Sequence, residues 1–338
     1  MDSASGETAL FCLVTLQIQR PFFGRIQVFC LVSPDFFSPK LPGTKGLRPW
    51  DGLELRPKGP MPCPDRTFDF ICPGAAKSGT TWLYSVLSEH PEICLSSLLK
   101  ESNLFLDRDV DEVEKLFPKY FRNCRPGQRI GEICPKYWID GAALDRIQGH
   151  SPEAKMILML RDPIERAYSH YCMFYRSGAA GDRIGDELAP GSIFIEESRY
   201  SRIVPDYERR FSPERVLVLD FNLVREAPER LFRQVCDFLE VSAAEVGDLE
   251  RQVNERIGRF KCPKLMRALY ECVWWSRRHL PFSHHVFNGI ARFGGRRFVR
   301  AMATADTAFP ELGPELCERL KREFAPDYEF LRQRFGRG

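Results

Sequence analysis

Two segments of the chain, Lys155 to Leu160 and Val216 to Leu219, are apolar at nearly every position. A strand covered on one face alternates apolar and polar residues, so short continuous apolar runs require cover on both faces, the condition of a parallel strand inside an α/β sheet. Phe68 to Cys72 and Arg129 to Ile133 read as two further strands. Between these runs the spacing predicts helices over Thr80 to Glu89, Val110 to Tyr120, Ile164 to Tyr175 and Ala227 to Leu239. The first places Trp82, Leu83, Val86 and Leu87 on one side and stops at His90-Pro91. Pro314 to Phe335 reads as a closing helix with a break near Pro326. Strands alternating with helices predict an α/β fold of three layers around a central parallel sheet.

Composition narrows this further. A chain of 338 residues with 43% hydrophobic and 12% aromatic content has the material for one enzyme-sized core, which excludes wholesale disorder, collagen and coiled coil. The net charge of +3, from 49 basic and 46 acidic residues, is too small to argue for a nucleic-acid partner. Residues 33–66 are dense in proline and glycine without a sustained period, so we divide the chain into an N-terminal extension, 1–66, and one domain, 67–338. Twelve cysteines are scattered from Cys12 to Cys317 with no C-x-x-C pair, and no His stands at zinc-finger spacing. A structural metal is therefore not expected, and reduced thiols are, with Cys72, Cys236 and Cys272 inside apolar runs. The apolar stretch Ala9 to Ile18 is about half the length of a spanning helix and is closed by Arg20, Pro21 and Arg25. Asp2 and Glu7 precede it without a basic residue, the wrong charge for a signal peptide. These features predict no transmembrane segment and a cytoplasmic location, with the secretory-pathway lumen as the alternative.

Phe70 to Trp82 reads strand, tight loop, helix, the context in which loop amides and the positive end of a helix face an anion. Gly74 and Gly79 keep the spacing of the G-x-x-x-x-G-K-[ST] triphosphate loop, but Thr80 stands at the lysine position and the lysine is Lys77, inside the loop. A kinase or ATPase uses that missing lysine and the next hydroxyl to hold the terminal phosphates and Mg²⁺. A lysine in mid-loop suits a shorter anionic group. An exposed lysine on a Gly/Ser/Thr turn is the structural alternative.

A second motif follows the strand Lys155 to Leu160: Arg161-Asp162-Pro163, then Ser169. Asp before Pro is a helix-start signal, which puts Arg161 at the carboxyl end of a strand and Ser169 about two turns into the next helix. Open α/β sheets bind ligands at such strand ends, and an arginine with a hydroxyl there suits a second phosphate. The bland reading is an arginine beside a helix cap and a surface serine.

Together the two motifs resemble the sulfotransferases that use 3′-phosphoadenosine 5′-phosphosulfate (PAPS), over roughly residues 68 to 335, closest in style to glycan-modifying and bacterial-type members. The resemblance implies that Lys77, Ser78, Gly79, Thr80, Thr81 and Trp82 hold the 5′-phosphosulfate and that Arg161 and Ser169 hold the 3′-phosphate. Lys100-Glu101-Ser102-Asn103-Leu104-Phe105 resembles the segment carrying the catalytic glutamate, which implies Glu101 as base, although Leu-Phe replaces the frequent Phe-Phe. Glu132-Ile133-Cys134-Pro135-Lys136-Tyr137-Trp138 resembles the family's Glu-Lys-Ser-x-x-Tyr stretch, with Cys-Pro read as inserted before the lysine, which implies Lys136 near the reaction centre. Gly258 and Arg259 are similar to a Gly-Arg loop that closes over the 3′-phosphate.

The expected reaction is transfer of a sulfuryl group from PAPS, without metal, to a hydroxyl or amine of a carbohydrate or small molecule by in-line displacement. Lys77 stabilises the leaving phosphate, Glu101 takes the acceptor proton and Lys136 faces the sulfonate oxygens. Two alternatives stay open: a P-loop kinase or nucleotidase, and a catalytically inactive nucleotide-binding scaffold. None of the six histidines stands in a defensible catalytic motif. Between Arg259 and Arg300, ten basic residues oppose only Glu271, which suits an anionic acceptor such as an acidic glycan, or else a solvated basic face.

Overall fold

Parallel strands carry their ligand-binding loops at one end only, so the order of the strands decides where a site can form. The computed structural model describes residues 67–96, 99–106, 108–243, 247–250 and 309–336, with two short strands nearer the N-terminus. The chain divides into two units, Met1–Gly59 and Pro60–Gly338. In the first, β1 (Leu16–Gln17) pairs antiparallel with β2 (Gln27–Val28).

The second unit begins with β3 (Phe70–Gly74), α1 (Thr80–Ser88), β4 (Ile93–Cys94), α2 (Val110–Phe121), β5 (Arg129–Ile133) and α3 (Gly141–His150). It continues through β6 (Lys155–Leu160), α4 (Pro163–Ser177), the single turns α5 (Ile184–Glu187) and α6 (Ile193–Glu196), and α7 (Tyr200–Phe211). Then come β7 (Val216–Asp220), α8 (Leu223–Glu226), α9 (Pro228–Leu239), α10 (Pro314–Glu323) and α11 (Ala325–Phe335). The five strands β4-β5-β3-β6-β7 form one parallel sheet.

Period-2 alternation sends successive residues of the inner strands into two different cores. Ile71, Met156 and Leu158 pack with Phe117, Ile147 and Tyr207 from α2, α3 and α7. Phe70, Cys72, Ile157 and Met159 pack with Leu83, Leu87, Val235 and Leu239 from α1 and α9. Helices on both faces make the three layers, and the buried strands are continuously apolar for that reason. A third cluster around Tyr171, Phe194, Leu320 and Phe324 joins α4, α6 and α10. Gly131 is fixed by packing: a Cβ there would meet the Phe70 ring at 2.1 Å.

Cys94 and Cys124 form a disulfide with Cα atoms 5.4 Å apart, which corrects the expectation of reduced thiols for this pair. The sequence could not show it, because the bond joins the two-residue edge strand β4 to the chain just after α2, 30 residues on. Cys72, Cys134 and Cys236 are free and buried; burial pushes the Cys72 thiol up to about 12 and the Cys236 thiol to about 11. Cys272 lies outside the described residues. Among the described residues, no helix is long and apolar enough to cross a membrane.

Candidate active site

From β3 the chain runs to β4 and β5 on one side of the sheet, then crosses to β6 and β7 on the other. The carboxyl end of β3 is therefore the switch point where a crevice opens in such sheets. Three elements converge there. The loop after β3 is tied to β6 by Ala75 N–H donating to Met159 O at 3.0 Å. The end of β5 is tied to β3 by Cys134 N–H donating to Cys72 O at 3.0 Å. Arg161 follows β6 directly and donates from Nη1 to Lys77 O at 3.4 Å.

The loop is built to leave its donors free. Lys77 takes a left-handed φ of 72° and Gly79 a φ of 90°, and Gly79 caps α1 without a side-chain hydrogen bond. Among the described residues, no hydrogen bond takes up the amides of Lys77, Gly79, Thr80 or Thr81. The Ser78 hydroxyl is fully buried, near the Tyr200 hydroxyl, and no well-formed hydrogen bond takes it up there. Orphan amides at a helix N-terminus and an orphan hydroxyl fit an anion. Burial lowers the Lys77 ammonium from its ordinary value, and the charges of Arg176, Arg161 and Lys100 add to the depression. Lys77, Arg161, Arg176 and Lys100 gather at this loop, a basic setting that suits an anionic ligand.

Arg161 lies over the Phe221 ring, 5.0 Å from its centroid, and its Nε and Nη2 donate to Glu165 Oε2 at 3.0 and 2.6 Å. Ser169 is half-buried in the second turn of α4, and no contact joins it to Arg161 among the described residues. Asp162 caps α4 by accepting from Glu165 N–H at 2.8 Å, as the Asp-Pro signal predicts. Gly258 and Arg259 lie outside the described residues.

Glu101 sits on a segment, 99–106, that has no regular structure and is held by the buried Glu132. Glu132 Oε1 accepts from Ser102 N–H at 3.0 Å and from the Ser102 hydroxyl, while Oε2 accepts from Tyr137 OH at 3.2 Å. Tyr137 OH in turn accepts from Phe105 N–H at 3.2 Å, and Arg146 Nη1 donates to Phe105 O at 2.9 Å. Burial raises the Glu132 carboxyl to about 7 against the pull of these hydrogen bonds. Lys136 is exposed on the turn Pro135–Tyr137. Aligned without a gap, the lysine position of the Glu-Lys-Ser-x-x-Tyr stretch falls on Ile133, which is buried in the core behind α1.

Lys100 and Arg176 were not singled out from the sequence, and the structure brings both to the loop. Lys100 Nζ donates to Thr81 Oγ1 at 2.8 Å. Arg176 acts on Lys77 from the last turn of α4, where a spacing of seven from Ser169 places the two on one helix face. That spacing is the signal that could have found it. His90, His150 and His170 are buried on structural partners: His90 Nε2 is 2.9 Å from Ser242 O and His150 Nδ1 is 2.7 Å from Ser151 Oγ. His170 Nδ1 lies 3.3 Å from both Arg166 Nη1 and Glu197 Oε2.

Residues 110–245 match the profile of the sulfotransferase family. Over that stretch the chain is similar to sulfotransferases. The matched residues contain Glu132, Arg161 and Ser169, whereas Lys77 and Glu101 lie outside them. Among curated relatives, the membrane-associated sulfotransferase kil1 of Dictyostelium discoideum is 36% identical over 106 residues, 30% of this chain and 22% of that protein. Heparan sulfate glucosamine 3-O-sulfotransferase 6 of Mus musculus is 33% identical over 98 residues, 29% of this chain and 28% of that protein. The bifunctional heparan sulfate N-deacetylase/N-sulfotransferase 3 of Homo sapiens is 28% identical over 199 residues, 52% of this chain and 23% of that protein. The chain thus spans about a quarter of the length of each of these relatives.

Proposed function

We propose that this protein is a sulfotransferase that transfers a sulfuryl group from PAPS to a hydroxyl or amine of a carbohydrate acceptor. The observation that carries the reading is the uncapped N-terminus of α1, with its free loop amides, buried Ser78 hydroxyl and crowd of cations around Lys77. The lysine inside the loop, and threonine at position 80, disfavour the kinase reading.

When bound, PAPS supplies an activated sulfur whose leaving group is a phosphate. The loop amides, the α1 N-terminus and Lys77 hold that phosphate and stabilise the charge it gains as the bond to sulfur breaks. Arg161 and Ser169 receive the 3′-phosphate; Arg161 turns from Glu165 to do so, since its Nε and Nη2 bond that exposed carboxylate. Glu101 accepts the proton of the attacking hydroxyl or amine. Glu132 and Tyr137 hold the backbone that follows Glu101, at Ser102 and Phe105, and so anchor the segment that presents the base. Two of the relatives above are named for action on heparan sulfate, and an acidic glycan of that kind is the acceptor class we propose. The Cys94–Cys124 disulfide supports an oxidising compartment, so the secretory-pathway lumen is the proposed location in place of the cytoplasm.

The test is calorimetry with adenosine 3′,5′-bisphosphate in chelator, then incubation with PAPS and a panel of heparan sulfate, unsulfated heparosan and neutral phenols. Metal-independent nucleotide binding and a sulfonate adduct on a glycan by mass spectrometry are expected. Binding that requires Mg²⁺ returns the protein to the kinase class.

A further inference from the structure

An in-line displacement at sulfur needs three groups in a row: the leaving phosphate, the sulfuryl group, and the acceptor atom beside its base. On the proposed reading the first belongs at the N-terminus of α1 and the last at Glu101. Lys100 lies between these two places. Its Nζ is 2.8 Å from Thr81 Oγ1, in the first turn of α1, and 3.8 Å from Glu101 Oε1. Its side chain is 26% exposed, so the ammonium is shielded but open to a ligand. Among the described residues its one hydrogen bond goes to Thr81, which leaves two N–H donors.

We propose that Lys100 is the residue that grips the sulfuryl group of the donor, with Thr81 aiming its ammonium and Glu101 balancing its charge. This rests on the PAPS reading and goes beyond it, because neither the motifs nor the family match assigns Lys100 a role. Electrostatics agree with the geometry. Burial holds the Lys100 ammonium below its ordinary value, and Lys100 in turn adds to the depression of Lys77, so the two cations repel across the space between them. An anion placed in that space relieves both. Lys136, the residue expected there from sequence, is exposed on its turn, whereas Lys100 is already anchored at the mouth of the loop.

Lys100 held between α1 and Glu101 is also what a purely structural brace looks like, and the two roles differ in what they recognise. A brace shapes the loop for any nucleotide; a sulfuryl contact distinguishes PAPS from adenosine 3′,5′-bisphosphate, which lacks that group. The experiment is to titrate both nucleotides into wild type, Lys100→Ala, Lys100→Arg and Thr81→Val, with melting temperatures confirming that each variant folds. We expect Lys100→Ala to lose about tenfold in PAPS affinity, the scale of one charge-assisted hydrogen bond, while adenosine 3′,5′-bisphosphate binds within about twofold of wild type. Lys100→Arg should recover most of the loss, and Thr81→Val should show a smaller loss of PAPS affinity. An equal loss for both nucleotides makes Lys100 a brace and overturns the assignment, as does no loss for either. Wild-type protein that binds neither nucleotide overturns the donor reading and this assignment with it.

Discussion

At the scale of single residues the two glutamates of the site divide the work by environment. Glu101 is about a third exposed and close to a lysine, whereas Glu132 is buried and accepts hydrogen bonds that fix the chain around Glu101. Glu101→Gln should therefore lower kcat by about 10²- to 10⁴-fold with nucleotide affinity unchanged, and a variant that turns over normally removes Glu101 as the base. Glu132 makes a different prediction, through stability. A carboxyl whose pKa is raised by folding, here from 4.5 to about 7, adds to stability fully below the lower value and loses that contribution as pH climbs through the upper one. Urea midpoints of wild type should therefore fall between pH 5 and pH 8 more steeply than those of Glu132→Gln. Equal slopes for the two proteins show that Glu132 does not titrate in this window. Lys77, Arg161 and Glu101 were legible in the sequence because each stands in a motif with fixed spacing. Lys100 and Glu132 were not, since their roles arise from contacts with Thr81, 19 residues away, and Ser102, 30 residues away.

At the scale of elements, what was legible follows the strength of the local signal. Lys155–Leu160 is a strand with the bounds read from its apolar run, Arg129–Ile133 also keeps the bounds read for it, and the closing helix does break, at Phe324. Several elements were not read, among them β4, α3 and α7. β4 has two residues, too few for a period, and α3 carries only four buried positions in ten. α7 contains Pro205, a breaker by local rules, yet Tyr200, Ile203, Val204, Tyr207 and Phe211 give it a buried stripe that tertiary packing rewards. The disulfide staples the weak edge strand: Cys94 pairs across the sheet with Ile130, and Cys124 returns the chain from α2. Cys124→Ser should cost about 2–4 kcal/mol in urea unfolding, as expected for a closed loop of this length. Nucleotide affinity should be retained, because this rung lies toward the amino end of β5, away from the loop. A second element-scale test is Gly79→Ala. The residue has φ 90°, and a Cβ would meet the Phe221 ring at 2.7 Å, the same ring that supports Arg161. This methyl group should weaken adenosine 3′,5′-bisphosphate binding by about tenfold or more, and calorimetry showing wild-type affinity breaks the link between the glycine and the arginine platform.

At the scale of the whole molecule, the net charge of +3 conceals a division of labour. Much of the charge in the α/β unit is paired locally: Arg199 with Glu323, Arg210 with Asp145 and Asp206, Arg215 with Glu153. The cations gathered around Lys77 are assigned above to the nucleotide. An anionic acceptor therefore needs positive charge from elsewhere, and the sequence concentrates it in residues 259–300, where ten basic residues face one acidic residue. Phe260, Trp274, Trp275, Phe293 and Phe298 interleave with those charges and offer ring faces for sugars. If this segment serves the acceptor, raising salt from 50 mM to 300 mM should depress kcat/KM for a sulfated glycan far more than for a neutral acceptor, because exposed charges are screened over a Debye length of about 10 Å at 0.1 M. Changing Arg296 and Arg297 to Ala should reduce that salt dependence while leaving adenosine 3′,5′-bisphosphate affinity intact. An equal salt response for charged and neutral acceptors detaches the basic segment from acceptor choice and leaves selectivity to the crevice at the end of β3.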